Sequence, residues 1–386
     1  MRILCAALSG AGFLLPTVAI ARELARRGHD VRFVADVSCA ARLAECGLTR
    51  IPRTERDGPS FRVAEWFDPL HVAMQFAHLG YAAETFVPDV VLASHLALGP
   101  AAFCAQRRIP LVVIGPIVYL WPLRDDAPYP DADGARAAAS LWDELRAIYF
   151  SACRELQLAT SDAAILGERY LLQGVPALDP GVVAHLPAHV RQIGSCLFEP
   201  PGPDTRDVEA WIATQRALGR PVVFVQLGRM FGAADPWPAL AAWAAADGCA
   251  LVASLERYDV ALEPARGNVL VQNGVPLQRI VPLADFVICS GTASPLLAAA
   301  AAGKPALVAY AGSGTHEHAA AFERYGSGLS FDAANFDAQY IATLVRRLRR
   351  EPEFSRRARA LQAAFEELGG SSLAADHVES AARVAA

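Results

Sequence analysis

The stretch 268–328 constrains this chain most, because it reads as two strand–turn–helix units in series. Phe286–Cys289 is a short apolar run suited to a buried parallel strand. It runs into the small, hydroxyl-rich turn Ser290-Gly291-Thr292-Ala293-Ser294, and the alanine-rich segment after it predicts a helix over about 295–302. Gly303 stops that helix, and 305–310 predicts the next strand. A small-residue turn between a strand's C-terminal end and a helix's N-terminus is suited to holding phosphate. The first-turn N–H groups have no partner inside the helix, and the helix dipole favours negative charge.

The rest of the chain extends the alternation. At 386 residues it is long for one core, which predicts two domains of under ~200 residues each. The first half gives a strand at 2–8, a helix at 16–27 stopped by Gly28, a strand at 30–35 and a helix at 40–46 stopped by Gly47. This is the pattern of βαβ units and a parallel sheet, an α/β fold. Two stretches, 54–81 and 119–133, are aromatic and poorly periodic, and read as binding loops over a rigid scaffold. The run 199–204 (EPPGPD) reads as a linker. The second half restarts with a strand at 221–227, then a helix at 237–246 and strands at 250–254 and 268–271. Helices after Phe336 and Glu353 close it.

Composition narrows the class. Apolar residues make up 53%, yet no run of ~18 uncharged apolar residues predicts a membrane span. The N-terminus reads as a first strand and not as a signal peptide, so a cytoplasmic protein is expected. Eight cysteines without CxxC spacing predict buried free thiols and no metal site. A net charge of −5 argues against nucleic acid or anionic lipid as partners. Lys304 is the only lysine, a coding bias that carries no chemistry.

Taken together these segments resemble the nucleotide-sugar glycosyltransferases of GT-B architecture, in the branch that decorates small molecules and antibiotics. Val275-Pro276, Gly291, Gly303-Lys304-Pro305, Ala319 and Gly326-Ser327-Gly328 fall at the spacings of that family's donor region. Residues 1–34, 88–92, 190–194 and 220–228 fit its other strands, so the likeness covers nearly the whole chain. The resemblance implies two facing Rossmann-like domains. Residues 1–200 would bind the acceptor, 205–370 the nucleotide sugar, and 371–386 would return as a helix to the first domain.

It also implies roles, with departures. Donor contacts fall to Gly228, Arg229, Val275, Ser290, Gly291, Thr292 and Ser294. The family commonly has His at the place of Ser290 and Ser at the place of Arg229, whose guanidinium can restore charge toward phosphate. The Asp-Gln pair that grips sugar hydroxyls is replaced by Gly314 and Thr315, leaving His316, Glu317 and His318 for polar sugar contacts. The triplet His316-Glu317-His318 lacks the spacing of a zinc motif. Gly274 stands where plant relatives stack a Trp on the base.

The family's Gly-His-x-x-Pro motif supplies its general base, but here Gly12-Phe13-Leu14-Leu15-Pro16 has no His. His95, after the strand predicted at 90–93, is the expected replacement, with Asp68 and His71 as rivals. An unperturbed imidazole pKa of about 6.5 suits the task. Phe13, Trp66 and His71 are expected on the acceptor side. The implied activity is inverting transfer of a sugar from a UDP- or dTDP-sugar to a small, largely apolar acceptor, with no cofactor. The missing His keeps open a catalytically inactive partner or binding protein, and the architecture also hosts nucleotide-sugar epimerases.

Overall fold

The computed structural model describes residues 1–54, 57–116, 132–178, 186–199, 204–228, 236–255, 267–311 and 313–384. It divides into two compact units. One comprises Met1–Val175, Gly181–Pro201 and Leu368–Ala386, the other Pro176–Pro180 and Gly202–Glu367.

The first unit carries β1 (Arg2–Ala7), β2 (Asp30–Ala35), β3 (Thr49–Arg50), β4 (Val90–Ser94), β5 (Leu111–Gly115), β6 (Arg169–Gln173) and β7 (Val190–Gly194). They form one parallel sheet in the order β3-β2-β1-β4-β5-β6-β7. Its helices are α1 (Ala11–Arg26), α2 (Ala40–Glu45), α3 (Pro69–Thr85), α4 (Gly99–Arg107), α5 (Ala132–Glu155) and α6 (Asp162–Leu166). Every residue of β4 and β5 is buried, as continuous apolar runs require in a sheet covered on both faces.

In the second unit, β8 (Val222–Gln226), β9 (Ala250–Ala253), β10 (Val269–Val271), β11 (Phe286–Cys289), β12 (Ala306–Tyr310) and β13 (Gly328–Asp332) are again all parallel. Their order is β10-β9-β8-β11-β12-β13. The helices are α7 (Arg206–Ala217), α8 (Trp237–Asp247), α9 (Leu277–Ile280), α10 (Ala293–Ala301), α11 (Ser313–Tyr325), α12 (Ala338–Arg350) and α13 (Pro352–Leu368).

The last helix, α14 (Ser371–Val384), belongs to the first unit and packs on α1 through Ala374, Ala375 and Val378. Its rim is charged. The Arg27 guanidinium bonds Asp376 at 2.5 Å, Glu379 at 3.2 Å and the Ser372 carbonyl at 2.8 Å.

Two segments differ from expectation. The helix expected from Pro16 begins at Ala11, so Phe13 lies in its first turn and Pro16 inside it. Proline lacks the N–H that would bond the Gly12 carbonyl, but Gly12 is exposed to water, which limits the cost. The stretch expected to be irregular over 54–81 becomes helical from Pro69. Asp68 caps that helix by accepting from Leu70 N–H at 2.9 Å, and Pro69 takes the position where a missing N–H costs nothing. The aromatic stretch 119–133 falls almost wholly outside the described residues, as does most of the linker at 199–204. All eight cysteines are free and buried. No described helix is long and apolar enough to cross a membrane.

Candidate functional site

Each sheet reverses its winding beside its first strand, between β1 and β4 in one unit and between β8 and β11 in the other. Ligands of open α/β sheets bind at that switch point, outside the carboxyl ends of the strands. Phe13 and His95 lie there in the first unit, and Gly228, Ser290, Gly291 and Thr292 in the second.

In the first unit the switch point is flanked by Phe13 and His95. Phe13 arrives on the first turn of α1, and His95 follows β4 directly. Their ring centres lie 4.8 Å apart, with the planes at 37°. His95 Nδ1 is 3.2 Å from the Ile114 carbonyl oxygen. A carbonyl can only accept, so Nδ1 carries the proton and Nε2 holds the lone pair. The next residue, Leu96, sits at φ +66°, a conformation a branched side chain rarely adopts and one found where a site is held under strain. Burial pushes the His95 imidazole down to about 4, against a small opposing effect of the Ile114 carbonyl. The ring is therefore neutral at physiological pH, and a weaker base than the unperturbed imidazole expected from sequence.

Sequence reasoning missed what holds His95 in place. A Cβ on Gly115, the last residue of β5, would stand 2.7 Å from His95 Cβ and 2.1 Å from the Tyr170 hydroxyl. Only a glycine lets the imidazole come so close to the neighbouring strand. Tyr170 on β6 donates its hydroxyl to the Pro116 carbonyl at 3.1 Å, which fixes the chain beyond β5. The void under His95, shared with Trp142 and Tyr170, measures only about 20 Å³. The signal was a glycine ending an apolar strand beside another strand that ends in His, legible only once β4 and β5 are paired.

The rivals have other duties. His71 is 2% exposed; its Nε2 accepts from Arg62 N–H at 3.0 Å, and its Nδ1 lies 2.7 Å from a Glu65 carboxylate oxygen. Both ring nitrogens are thus engaged in bracing the segment around residues 62–65. Burial lowers its pKa despite Glu65. Asp68 is occupied as the cap of α3. Trp66 is half-buried, edge-on to the exposed Phe67 at 6.2 Å. Phe13, Val63, Trp66 and Phe76 all pack against the core cluster that contains Leu96 and Ala97.

In the second unit β8 and β11 end side by side, with Gln226 paired to Cys289 and Ser290 N–H donating to the Gln226 carbonyl at 3.2 Å. Gly228 follows β8, and a Cβ on it would lie 3.9 Å from Ser290 Oγ. The turn after β11 then delivers the chain into α10. Thr292 stands at the cap position, yet its side chain caps no N–H; it lies 3.2 Å from Ser290 Oγ. Two small hydroxyl residues thus sit at an N-terminus whose N–H groups and dipole attract anions. Gly291 has φ +74°, and a Cβ there would come within 2.9 Å of the Thr315 carbonyl and 3.1 Å of Val308. Thr315 on α11 ties that helix to the end of β12, donating to the Ala311 carbonyl at 2.9 Å and accepting from its N–H at 3.0 Å.

His318, one turn on, places Nδ1 2.9 Å from the Gly291 carbonyl, and burial lowers its pKa. An imidazole thereby reaches the same turn whose own sequence lacks one. His316 sets its ring edge-on to Tyr310 at 4.8 Å, and Glu317 is 5% exposed. Val275 is buried beside Pro276, the cap of α9. Arg229 lies outside the described residues.

No protein-family model matches the chain. The 4'-demethylrebeccamycin synthase of Lentzea aerocolonigenes is 26% identical over 399 residues, covering 92% of this chain and 93% of that protein. Elloramycin glycosyltransferase ElmGT of Streptomyces olivaceus is 27% identical over 393 residues, covering 93% and 92%. The structure of glycosyltransferase VinC in complex with dTDP matches with a TM-score of 0.74 over 100% of both chains, at 17% identity, which shows a shared fold. The chain has the two-domain GT-B fold and is similar over nearly its whole length to natural-product glycosyltransferases. Within this fold the switch point of the first unit carries Phe13 and His95, and that of the second carries the Ser290–Ser294 turn with His318.

Proposed function

We propose that this enzyme transfers a sugar, with inversion, from a UDP- or dTDP-sugar to a small, largely apolar acceptor. The observation that carries this reading is the uncapped N-terminus of α10 at the switch point of the second unit, ringed by Ser290, Thr292 and His318. Backbone N–H groups of residues 292–294 hold the β-phosphate, and the hydroxyls and the His318 imidazole add hydrogen bonds that strengthen as the diphosphate departs. Gly228 lets the phosphates approach β8, Arg229 adds a guanidinium, and Val275, His316 and Glu317 complete the donor side. Two relatives named for antibiotics and a neighbour solved with dTDP support this choice of acceptor and donor class.

The first unit holds the acceptor against Phe13 and Trp66. There His95 Nε2, oriented by the Nδ1–H bond to Ile114, takes the acceptor's proton as its oxygen attacks the anomeric carbon from the face opposite the diphosphate. Titrating the protein with UDP, dTDP and GDP while following thermal unfolding tests the donor reading. A nucleotide at 100-fold over its dissociation constant adds about 2.7 kcal/mol. Stabilisation by UDP or dTDP together with slow hydrolysis of the matching sugar nucleotide is expected. Binding without turnover of any sugar nucleotide would point to an inactive partner.

A further inference from the structure

The first unit has a second concave surface, at the edge of its sheet opposite the switch point. A cleft of about 630 Å³ lies at the N-terminal ends of β5 and β6, where Leu111 and Arg169 begin their strands. That volume falls within the range of small-molecule sites, and the described residues that line it all belong to this unit. On the side of α4 and α6 the lining is apolar, with Ala101, Ile109, Pro110, Leu111 and Ala164. Arg108, Glu168 and Arg169 supply its charges, and Ala381 brings in α14.

Positive charge gathers on the α14 side. Leu171 pairs with Arg191, so Arg169 and Arg191 stand on one face of β6 and β7, because side chains alternate along a strand. It is the face that α14 covers, since Leu171 shares a core cluster with Ala374, Ala375 and Val378. His377 lies one turn before Ala381 on the same side of α14, and His189 directly precedes β7. Burial lowers the pKa of both imidazoles, and Arg169 and Arg191 lower it further, with Asp376 opposing them at His377. Carboxylates leave this charge unbalanced. Among the described residues, Arg169 donates to the Glu168 carbonyl at 3.0 Å and Arg191 to the carbonyls of Ala188 and Val190, all neutral partners. Asp376 is held by Arg27 at 2.5 Å, and Glu168 turns Oε2 to the Leu111 N–H at 2.6 Å. His189 Nε2 is buried and, among the described residues, has no hydrogen-bond partner, which is rare in a folded protein.

We propose that this cleft binds an amphipathic organic anion, its apolar body against α4 and α6 and its carboxylate held by Arg169 and Arg191. The chain as a whole carries a net charge of −5, so two guanidiniums without acidic partners beside an apolar surface are a local exception. A guanidinium gives a carboxylate two parallel N–H bonds, which fixes the direction of the ligand as well as its charge. An apolar body without the anion would leave the arginines unmatched, and a bare anion would leave the apolar lining in water. The cleft lies at the opposite end of the strands from the switch point, so its occupancy is independent of the donor nucleotide.

The test titrates the full chain with pyrenebutyrate, with its neutral analogue pyrenebutanol, and with butyrate, which lacks the ring system. Pyrenebutyrate should bind at least ~tenfold more tightly than either, the factor that one charge-assisted contact supplies. Replacing both arginines, Arg169→Gln with Arg191→Gln, should make the acid bind no better than the alcohol. Ala105 also lines the cleft and is exposed, so Ala105→Glu sets a carboxylate there without touching either arginine. It should weaken pyrenebutyrate by a similar factor, and it keeps the test decisive if the double variant does not fold. Saturating UDP or dTDP should leave the affinity unchanged. Equal affinity for acid and alcohol in wild type overturns the proposal, as does no binding of the acid. Binding that both variants retain, or that nucleotide abolishes, places the pyrene elsewhere and overturns it too. Arginine-dependent binding by a protein that takes no nucleotide sustains this site and refutes the donor reading alone.

Discussion

The imidazole of His95 lies 4.8 Å from the ring of Phe13, the two side chains meeting across the reversal point of the first sheet from β4 and α1. Phenylalanine holds the place where a proton acceptor is expected, and an imidazole stands beside it, just after β4. The ring contact also removes water from one face of the imidazole, one reason its neutral form is favoured.

That environment sets the pH behaviour. In the proposed role of His95 as base its neutral form does the work, and protonation sets in only toward about 4. The kcat/KM of the free enzyme should therefore stay flat from pH 8 down to about 5.5 and fall only below that. A decline centred near 6.5 would mean a solvated histidine does the work.

Gly291 makes the turn into α10 possible. Alanine there carries a left-handed backbone and a Cβ 2.9 Å from the Thr315 carbonyl, so Gly291→Ala should cost about 1–3 kcal/mol of stability. The displaced turn should also weaken dTDP or UDP binding at least tenfold. Thermal unfolding with and without nucleotide reads both effects. Unchanged nucleotide affinity would move the phosphates away from this turn.

Asp68 caps α3 through Leu70 N–H. Asp68→Ala should lower stability by about 1 kcal/mol, through loss of the bond to Leu70 N–H, and leave turnover at saturating substrate unchanged. Urea unfolding and initial rates on the same preparation decide it. A loss of turnover without loss of stability would give the proton to Asp68.

His78 makes stability pH-dependent. Its Nε2–H donates to the Ile51 carbonyl at 2.9 Å, and its Nδ1 meets the Ser60 hydroxyl at 2.7 Å. Burial depresses its pKa to about 4, against 6.5 in the unfolded chain. Between those values the unfolded state binds more protons, so this stabilisation is complete above 6.5 and lost as pH falls toward 4. From pH 7 to 5 it amounts to about 2 kcal/mol. His78→Gln keeps an amide donor and does not titrate, so its stability should fall by that much less over the same interval in denaturant titrations. Equal pH slopes would show that His78 does not carry the effect.

Much of this was legible in sequence for a physical reason. Parallel strands buried on both faces must be continuous apolar runs, and turns at their carboxyl ends must be small, so 286–310 announced itself within a residue or two. The position of His95 followed from the same logic. Its support did not, because Gly115 and Tyr170 lie 20 and 75 residues further along and meet it only through strand pairing. Helix α3 was taken for a loop because its aromatics mask a weak helical period, although Asp68-Pro69 is a helix-start signal. The bracing role of His71 was hidden too, because Glu65 and Arg62 reach its two ring nitrogens only once the segment before α3 is folded.

The central claim is that the base has moved from position 13 to His95, and a double substitution tests it most directly. His95→Ala should cut turnover of a weakly acidic acceptor by about 10²–10⁴-fold while leaving the affinity for donor nucleotide unchanged. Adding Phe13→His should restore a substantial part of that loss, because a histidine at 13 stands beside the same acceptor oxygen. Wild-type turnover in the His95→Ala protein, across acceptors and with folding intact, would contradict the account outright.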